Sequence, residues 1–491
     1  MSTTRNISRD TVIYAAGRII PAAINFVAIA VFTRMLDAQS YGKYQLIVTG
    51  TLFVSIILSS WLQQSVYRYM IEYKNRDKAR EFLSAFFLIL LIIAAAIVVL
   101  GVTLYPHIPA GYQAPDFISV ILLIACLMYT NFQVVLQADL QAISYARNEI
   151  GRSALFLLVS LVLLYFDRSY FSLIVAMTVT YILFSLVLAV RLDLLKAVSG
   201  LRIDRGVISQ IFRYGFPMFF WFLGSQVLGV SDRFLLEYFR GAGDVGLYAS
   251  NYNLMLSSIG LLTSPVLLAA QTNIMGPWSR GEKLQTHAVV TSTAFFYLLA
   301  TIPIFLITVL YSAEIVNIAL GAAFRAAHLV IPIVFFGFML NGFSLFVQKS
   351  YELEKRTRTI AAFIIIAATV NVVLNLFFIP AYGYLGAAVT TAIAYSLYLL
   401  LVSTGAGTAW RFAYPWPSMA KLVAANVCTF VFLLWLKVYF HINPQLQLLV
   451  SLVAAYALSL GILFVIKEKH TMNALIFIRS TKYLRRKYIN P

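Results

Sequence analysis

The chain has 491 residues, 61% of them hydrophobic and only 11% charged, with a mean hydropathy of +0.84. A soluble domain carries about 25% charged residues, so this composition excludes a water-soluble globular protein. The formal net charge of +18 does not require a nucleic-acid partner, and the two cysteines, Cys126 and Cys428, lie in apolar runs that offer neither a disulfide framework nor a cysteine zinc site.

A membrane helix needs about 20 mostly apolar residues to cross ~30 Å of hydrocarbon. About fourteen such spans are predicted, near residues 11–33, 44–66, 82–105, 117–138, 148–166, 170–190, 212–232, 246–274, 287–311, 327–350, 359–379, 383–403, 418–439 and 446–466. Residues 1–10 are polar and the first apolar run lacks a small-residue cleavage site, so no cleavable signal peptide is expected. The fold class is therefore an all-α polytopic membrane protein.

The opening helix carries Pro21 inside it and Arg34 near its far end, and the chain restarts at Gly42–Tyr44. The stretch from Ile211 to Asn253 repeats that plan with Pro217, the pair Asp232–Arg233, and a restart at Gly246–Tyr248. Two related six-helix halves of equal orientation follow, with the substrate site expected at their interface. The expected organisation is a first bundle over 1–195, a basic linker over 196–210, a second bundle over 211–403, two added helices over 404–466, and a basic tail over 467–491. Pro21, Pro217, Gly224 and Gly229 are the expected points of bending.

When loops are assigned alternately to two sides, 29 of the 37 Lys and Arg residues fall on the side of the termini and seven on the other. Cytoplasmic loops are enriched in Lys and Arg. Both termini are expected in the cytoplasm, with the tail along an anionic leaflet.

The residues that hydrocarbon should exclude are more informative. Tyr14, Arg18, Pro21 and Asn25 fall on one face of the first helix. Thr130, Gln133, Gln137 and Gln141 form a stripe on the fourth, and Asn341, Ser344, Gln348 and Glu352 on the tenth. Asn251 with Ser258, and Asn371 with Asn375, add two shorter ones. Such stripes converge on a hydrated cavity, although any single Asn or Gln has the alternative of an interhelical hydrogen bond. The expected substrate-binding set is Arg18, Asn25, Arg34, Gln133, Gln137, Arg233, Asn251, Asn341 and Gln348. Guanidinium stays charged and grips phosphate bidentately, so it suits an anionic substrate. Arg34, Lys43 and Arg233 form a candidate outer basic cluster; Arg68, Arg147, Arg152 and Lys349 form an inner one whose members, taken singly, read as positive-inside anchors. Asp139 and Glu352 are the first candidates for ion coupling, ahead of Glu314. Tyr14, Trp221, Tyr248 and Tyr252 are candidates to stack on sugar rings. No cofactor or metal is expected.

Three stretches carry a family likeness: FTRMLDAQSYGKYQLI, SDRFLLEYFRGAGDVGLYASNYNLM, and LEKRTRTIAAFIIIAATVNVVLNLFFIPAYGYLGAAVTTAIAY. They resemble the Wzx-type oligosaccharide flippases, the polysaccharide-transporter branch of the multidrug/oligosaccharidyl-lipid/polysaccharide flippase superfamily. The resemblance implies two six-helix bundles that alternate between inward- and outward-open states in a bacterial cell membrane. It also implies a polyprenyl-diphosphate-linked oligosaccharide as substrate, with membrane lipids and other polysaccharide-assembly membrane proteins as partners. Two alternatives stand beside it. A multidrug or cation antiporter of the same superfamily would favour buried carboxylates, and the first helix offers Arg18 instead. A membrane polysaccharide polymerase would need a catalytic constellation on a substantial loop, and YPHIPAGYQAPD offers only His107 and Asp116.

Overall fold

The computed structural model describes residues 2–104, 113–193, 204–216, 219–405, 412, 414–440 and 443–472. Pro217, His107, most of the 196–210 linker and the tail beyond residue 472 lie outside the described residues, as do the side chains of Asp116 and Trp221. Among the described residues the chain is helical, with no strand.

The helices are α1 (Ser2–Met35), α2 (Ala38–Asn75), α3 (Ala79–Leu104), α4 (Gln113–Ala138), α5 (Ala142–Phe166), α6 (Tyr170–Arg191), α7 (Arg205–Gly215) and α8 (Phe219–Arg240). They continue with α9 (Ala242–Ser279), α10 (Lys283–Ala319), α11 (Val330–Val347), α12 (Lys349–Leu353), α13 (Thr357–Thr404), α14 (Trp416–Tyr439) and α15 (Pro444–Val465). Among the described residues, eleven stretches are long and apolar enough to cross a membrane, and α13, at 48 residues, is one of them. That helix turns at Gly383, whose φ of 55° is a left-handed value that glycine adopts without a Cβ penalty. Pro380 removes an amide donor just before the turn. Arg240 closes the break by donating to the carbonyls of Pro380 at 2.6 Å and Ile379 at 3.4 Å, where a helix end welcomes a cation. With α13 read as two crossings and α8 and α9 added, the helices accommodate the expected fourteen or so spans of an all-α polytopic membrane protein.

By packing, the chain divides into two units, Met1–Ser257 with Ile364–Thr390, and Ser258–Phe363 with Thr391–Pro491. In the first unit α1 lies along α5, and α4 packs between α2 and α6. Asp37 starts α2 by accepting the amide of Ser40 on Oδ1 at 2.6 Å, an N-cap that satisfies an orphan donor. The two glycine restarts meet here. A Cβ on Gly42 would stand 1.8 Å from the Ala242 carbonyl oxygen, and one on Gly246 would stand 1.9 Å from that of Ala38. Only glycine lets the first turns of α2 and α9 come this close. The asparagine stripe of α13 is an interhelical network rather than a cavity wall. Asn371 and Asn375 are fully buried; Asn371 Oδ1 accepts from Ser231 at 3.3 Å and from Asn375 Nδ2 at 3.1 Å, while Thr390 donates to Asn375 Oδ1.

In the second unit α14 and α15 form a hairpin against α10 around Ile307, Tyr311, Leu433 and Ala455. Lys437 pairs with Glu314 at 2.9 Å and lies 4.8 Å from the centroid of the Tyr311 ring, whose hydroxyl accepts from Ser451 at 2.9 Å. Glu314 is thereby a structural partner of the added hairpin. Tyr456 donates to the Ala300 carbonyl at 2.6 Å and fastens α15 to the same helix.

Candidate functional site

The first unit contains a partly open cavity of about 490 Å³ walled by α1, α2, α5, α6, α8 and α9. Two guanidinium groups reach it from opposite sequence halves, Arg152 on α5 and Arg233 on α8. Arg152 stands ten residues into α5, and at ~1.5 Å per residue this is about 15 Å along the helix. Its guanidinium lies 5.3 Å from the ring centroid of Tyr129 and 4.8 Å from that of Tyr181, and donates to Glu149 Oε2 at 3.3 Å. Its Nε is buried with no hydrogen-bond partner among the described residues. Behind it, Glu149 Oε1 accepts from the Tyr129 hydroxyl at 3.0 Å, and Gln133 donates to the same hydroxyl at 2.7 Å.

Arg233 is 4% exposed. It donates to the Gly229 carbonyl at 3.0 Å and to Asn253 Oδ1 at 3.2 Å, and lies 4.5 Å from the Tyr252 ring centroid. Asn253 in turn donates to Gln45 Oε1 at 3.0 Å, which ties α9 to α2. Its neighbour Asp232 is fully buried, taking the Arg233 amide on Oδ1 at 2.8 Å and the Tyr248 hydroxyl on Oδ2 at 2.5 Å.

The arrangement has a definite polarity. Arg152 and Arg233 belong to the wall, whereas Glu149 and Asp232 are absent from it and stand behind. Removing charges from water is costly unless each is paired and hydrogen-bonded; Glu149 supplies that pairing for Arg152, while the Arg233 guanidinium is held by Gly229, Asn253 and the Tyr252 ring. Tyr41, Tyr44, Tyr181 and Tyr252 add flat faces, and Asn25, Gln45, Gln226 and Ser257 add neutral polar groups. Such a chamber can take an anionic group on its guanidinium forks and hydroxyl-rich rings on its aromatic faces. Among the described residues no group of three or more His, Cys, Asp or Glu converges to hold a metal ion.

Of the expected substrate-binding residues, Asn25 and Arg233 line this cavity. Gln133 stands behind it through Tyr129. Arg18 is exposed and belongs to a separate aromatic cluster, hydrogen-bonded to Tyr145 and close to Tyr67. Gln137 joins that cluster, accepting the Tyr67 hydroxyl on Oε1 at 2.7 Å and the Tyr14 hydroxyl on its carbonyl at 3.4 Å. Arg34 is exposed and donates to the Ala30 carbonyl of its own helix at 2.6 Å. Asn251 is fully buried and donates to Leu247 O at 2.9 Å. Asn341 and Gln348 belong to the second unit; the Asn341 carbonyl accepts from Ser344 at 2.6 Å, and Gln348 accepts from Tyr398 at 2.5 Å and donates to Glu352 at 2.6 Å. The two coupling candidates sit in ion pairs, Asp139 with Lys74 and Glu352 with Lys349.

Arg152 is the cavity-lining residue that the sequence pattern places differently. Counted with Arg147 as a loop anchor, it is in fact inside α5, because that helix starts at Ala142 rather than near residue 148. The available signal was its helical spacing of three from Glu149, which lets the carboxylate escort the cation into the bilayer.

Residues 7–270, just over half of the chain, match the family described as "Polysaccharide biosynthesis protein". The chain belongs to this family. It is 23% identical over 462 residues to a Haloferax volcanii protein described as a probable low-salt glycan biosynthesis flippase, Agl15, with 91% of this chain and 93% of that protein covered. An uncharacterized membrane protein of Methanocaldococcus jannaschii is 25% identical over 198 residues, 39% of this chain and 38% of that protein. Among solved structures, the lipid II flippase MurJ in an inward closed conformation superposes with a TM-score of 0.73 at 14% identity, covering 92% of this chain and 98% of that one. An inward-facing multidrug resistance transporter of the MATE family, from the MOP superfamily, gives 0.59 at 12% identity over 79% of this chain and 96% of that one. At these identities the superpositions establish the fold. The expected all-α polytopic architecture is met, and the family match agrees with the expected polysaccharide branch.

Proposed function

We propose that this protein is a flippase that carries a polyprenyl-diphosphate-linked oligosaccharide from the cytoplasmic to the outer leaflet. It moves this ligand without altering it and works beside other polysaccharide-assembly membrane proteins. The observation that carries the proposal is the cavity wall, with Arg152 and Arg233 facing inward, tyrosine faces beside them, and both carboxylates held behind. A diphosphate is an anion that two guanidinium forks can share, and sugar rings stack on tyrosine. The name of the Haloferax volcanii relative, a glycan biosynthesis flippase, supports the same reading. Depletion of the protein is expected to make lipid-diphosphate-linked oligosaccharide accumulate in the cytoplasmic leaflet, with surface polysaccharide lost. Lipid extraction followed by mass analysis reads this directly. Unchanged levels of those lipids, together with new sensitivity to cationic dyes, would favour the antiporter.

The direction of transport depends on a topology with both termini in the cytoplasm, supported by the 29-to-7 partition of basic residues. In a background with Cys126 and Cys428 replaced by Ala, Arg168→Cys between α5 and α6 should react with an impermeant thiol reagent applied from outside. Ser279→Cys at the end of α9 should not. The reverse pattern would invert the orientation.

A further inference from the structure

A second cavity, of about 310 Å³, opens in the second unit where α14 begins and the chain leaves α15. Lys421, Lys467 and Lys469 line it, with His470, Ser418 and the rings of Pro415 and Pro417. None of the cavity's features belongs to the chamber between Arg152 and Arg233. We propose that this pocket binds the phosphate of an anionic membrane lipid.

The placement comes first. The start of α14 and the end of α15 are the same-side ends of two candidate spans, so the pocket lies at headgroup level. Trp416, 67% exposed and stacked on Tyr414 at 5.2 Å, stands at its edge, as interfacial tryptophans do. Lys421 donates to the carbonyl of Ile466 at 3.3 Å, which holds one ammonium at the junction of the two helices.

The charge is sorted as well as concentrated. Glu468, the carboxylate among these lysines, is fully buried. It accepts the amides of His470 at 3.0 Å and Thr471 at 2.7 Å, the Thr471 hydroxyl at 2.9 Å, and a hydrogen bond from Ser418. Burial alone would raise its pKa, but these donors outweigh burial and hold it below the ordinary glutamate value. The carboxylate is thus committed to the backbone turn and does not satisfy the lysines. His470 is fixed by Ser292 at 3.1 Å and by stacking on Phe295 at 5.0 Å, and burial lowers its pKa. The positive charge of the pocket therefore comes from three ammonium groups, each a compact, multi-donor partner for phosphate oxygens. The prolines supply no amide donors in the wall, so recognition rests on the lysines. The volume lies at the small end of the ligand-cavity range of about 300–1,000 Å³, which suits a headgroup whose acyl chains remain in the bilayer.

The test is native mass spectrometry of the full-length protein titrated with dioleoylphosphatidylglycerol or dioleoylphosphatidylcholine. The parent protein should retain the phosphatidylglycerol preferentially. The triple variant Lys421→Gln, Lys467→Gln, Lys469→Gln should lose that retention by roughly a hundredfold, the scale expected for three lysines at an anionic surface. A charge-matched control, Arg76→Gln, Lys78→Gln, Arg80→Gln, should keep it. Lys469→Gln alone, an exposed change, gives the same direction of effect if the triple variant does not fold. Equal loss in the control, or full retention in both the triple and the single variant, would overturn the site. Displacement of the lipid by equimolar glycerol 3-phosphate or inorganic phosphate would reassign it to a soluble anion and overturn the lipid assignment.

Discussion

Arg152→Gln and Arg233→Gln should each abolish transport of the lipid-linked oligosaccharide. Truncating one partner of a buried, hydrogen-bonded charge contact costs about 2–5 kcal/mol, or roughly 30-fold to more than a thousandfold in affinity. At Arg152 part of that cost is structural, because Glu149 is left without its cation inside the bilayer. The two contributions separate cleanly at Arg152. Adding Glu149→Gln to Arg152→Gln removes both charges, so protein abundance should recover while transport does not. Arg233→Lys should retain the charge and regain only part of the activity, because an ammonium lacks the planar fork. Flux of a labelled substrate into the outer leaflet of proteoliposomes, normalised to protein, is the measurement. Parental flux in either single glutamine variant would remove that arginine from the binding site.

Gly42→Ala and Gly246→Ala should block the transport cycle at one end. The added methyl group would stand 1.8 Å from the Ala242 carbonyl oxygen or 1.9 Å from that of Ala38, and a backbone carbonyl within a helix cannot turn aside. Overpacking of this kind costs about 1–3 kcal/mol, enough to shift a two-state equilibrium by roughly 5- to 150-fold. The conformer in which α2 and α9 touch should be depopulated and transport should fall in proportion. Ser257 lines the cavity, so Ser257→Cys in a cysteine-free background reports the change. It should become more reactive toward an impermeant reagent added outside when Gly42 carries a methyl group. Unaltered labelling and flux in both alanine variants would mean that the contact can open at no cost and gates nothing.

The helical fold was legible in composition and run length because hydrocarbon permits few other solutions. Gly42 and Gly246 stand out in the sequence as the restarts of the two expected halves, and the structure adds a fact that no pattern carries: the two restarts touch each other. The polar stripes were harder to interpret. Period 3.6 tells which side of a helix a residue takes and not what that side meets. Asn25 meets the cavity, Asn371 and Asn375 meet each other, and Gln133 supports an arginine that it does not touch. Arg152 was hidden for a related reason. A charged residue near the end of a hydropathy window reads as a loop residue unless the neighbouring Glu149 is recognised as travelling with it. Arg18 and Arg34, conspicuous in sequence, are exposed residues that do not line this cavity.

A carrier must also travel unloaded, and the balanced chamber bears on that half of the cycle. If the guanidinium groups stood alone, the empty site would have to borrow a small anion such as chloride to recross the low-dielectric interior. Arg152 instead keeps Glu149 3.3 Å away, and the buried carboxylate of Asp232 stands one residue from Arg233, bound to that residue's backbone amide. The vacated transporter is close to electroneutral at this point and can reset with no counter-ion aboard. On the proposed function, a diphosphate entering the cavity would then compete with the protein's own side chains, so its occupancy should depend little on chloride concentration.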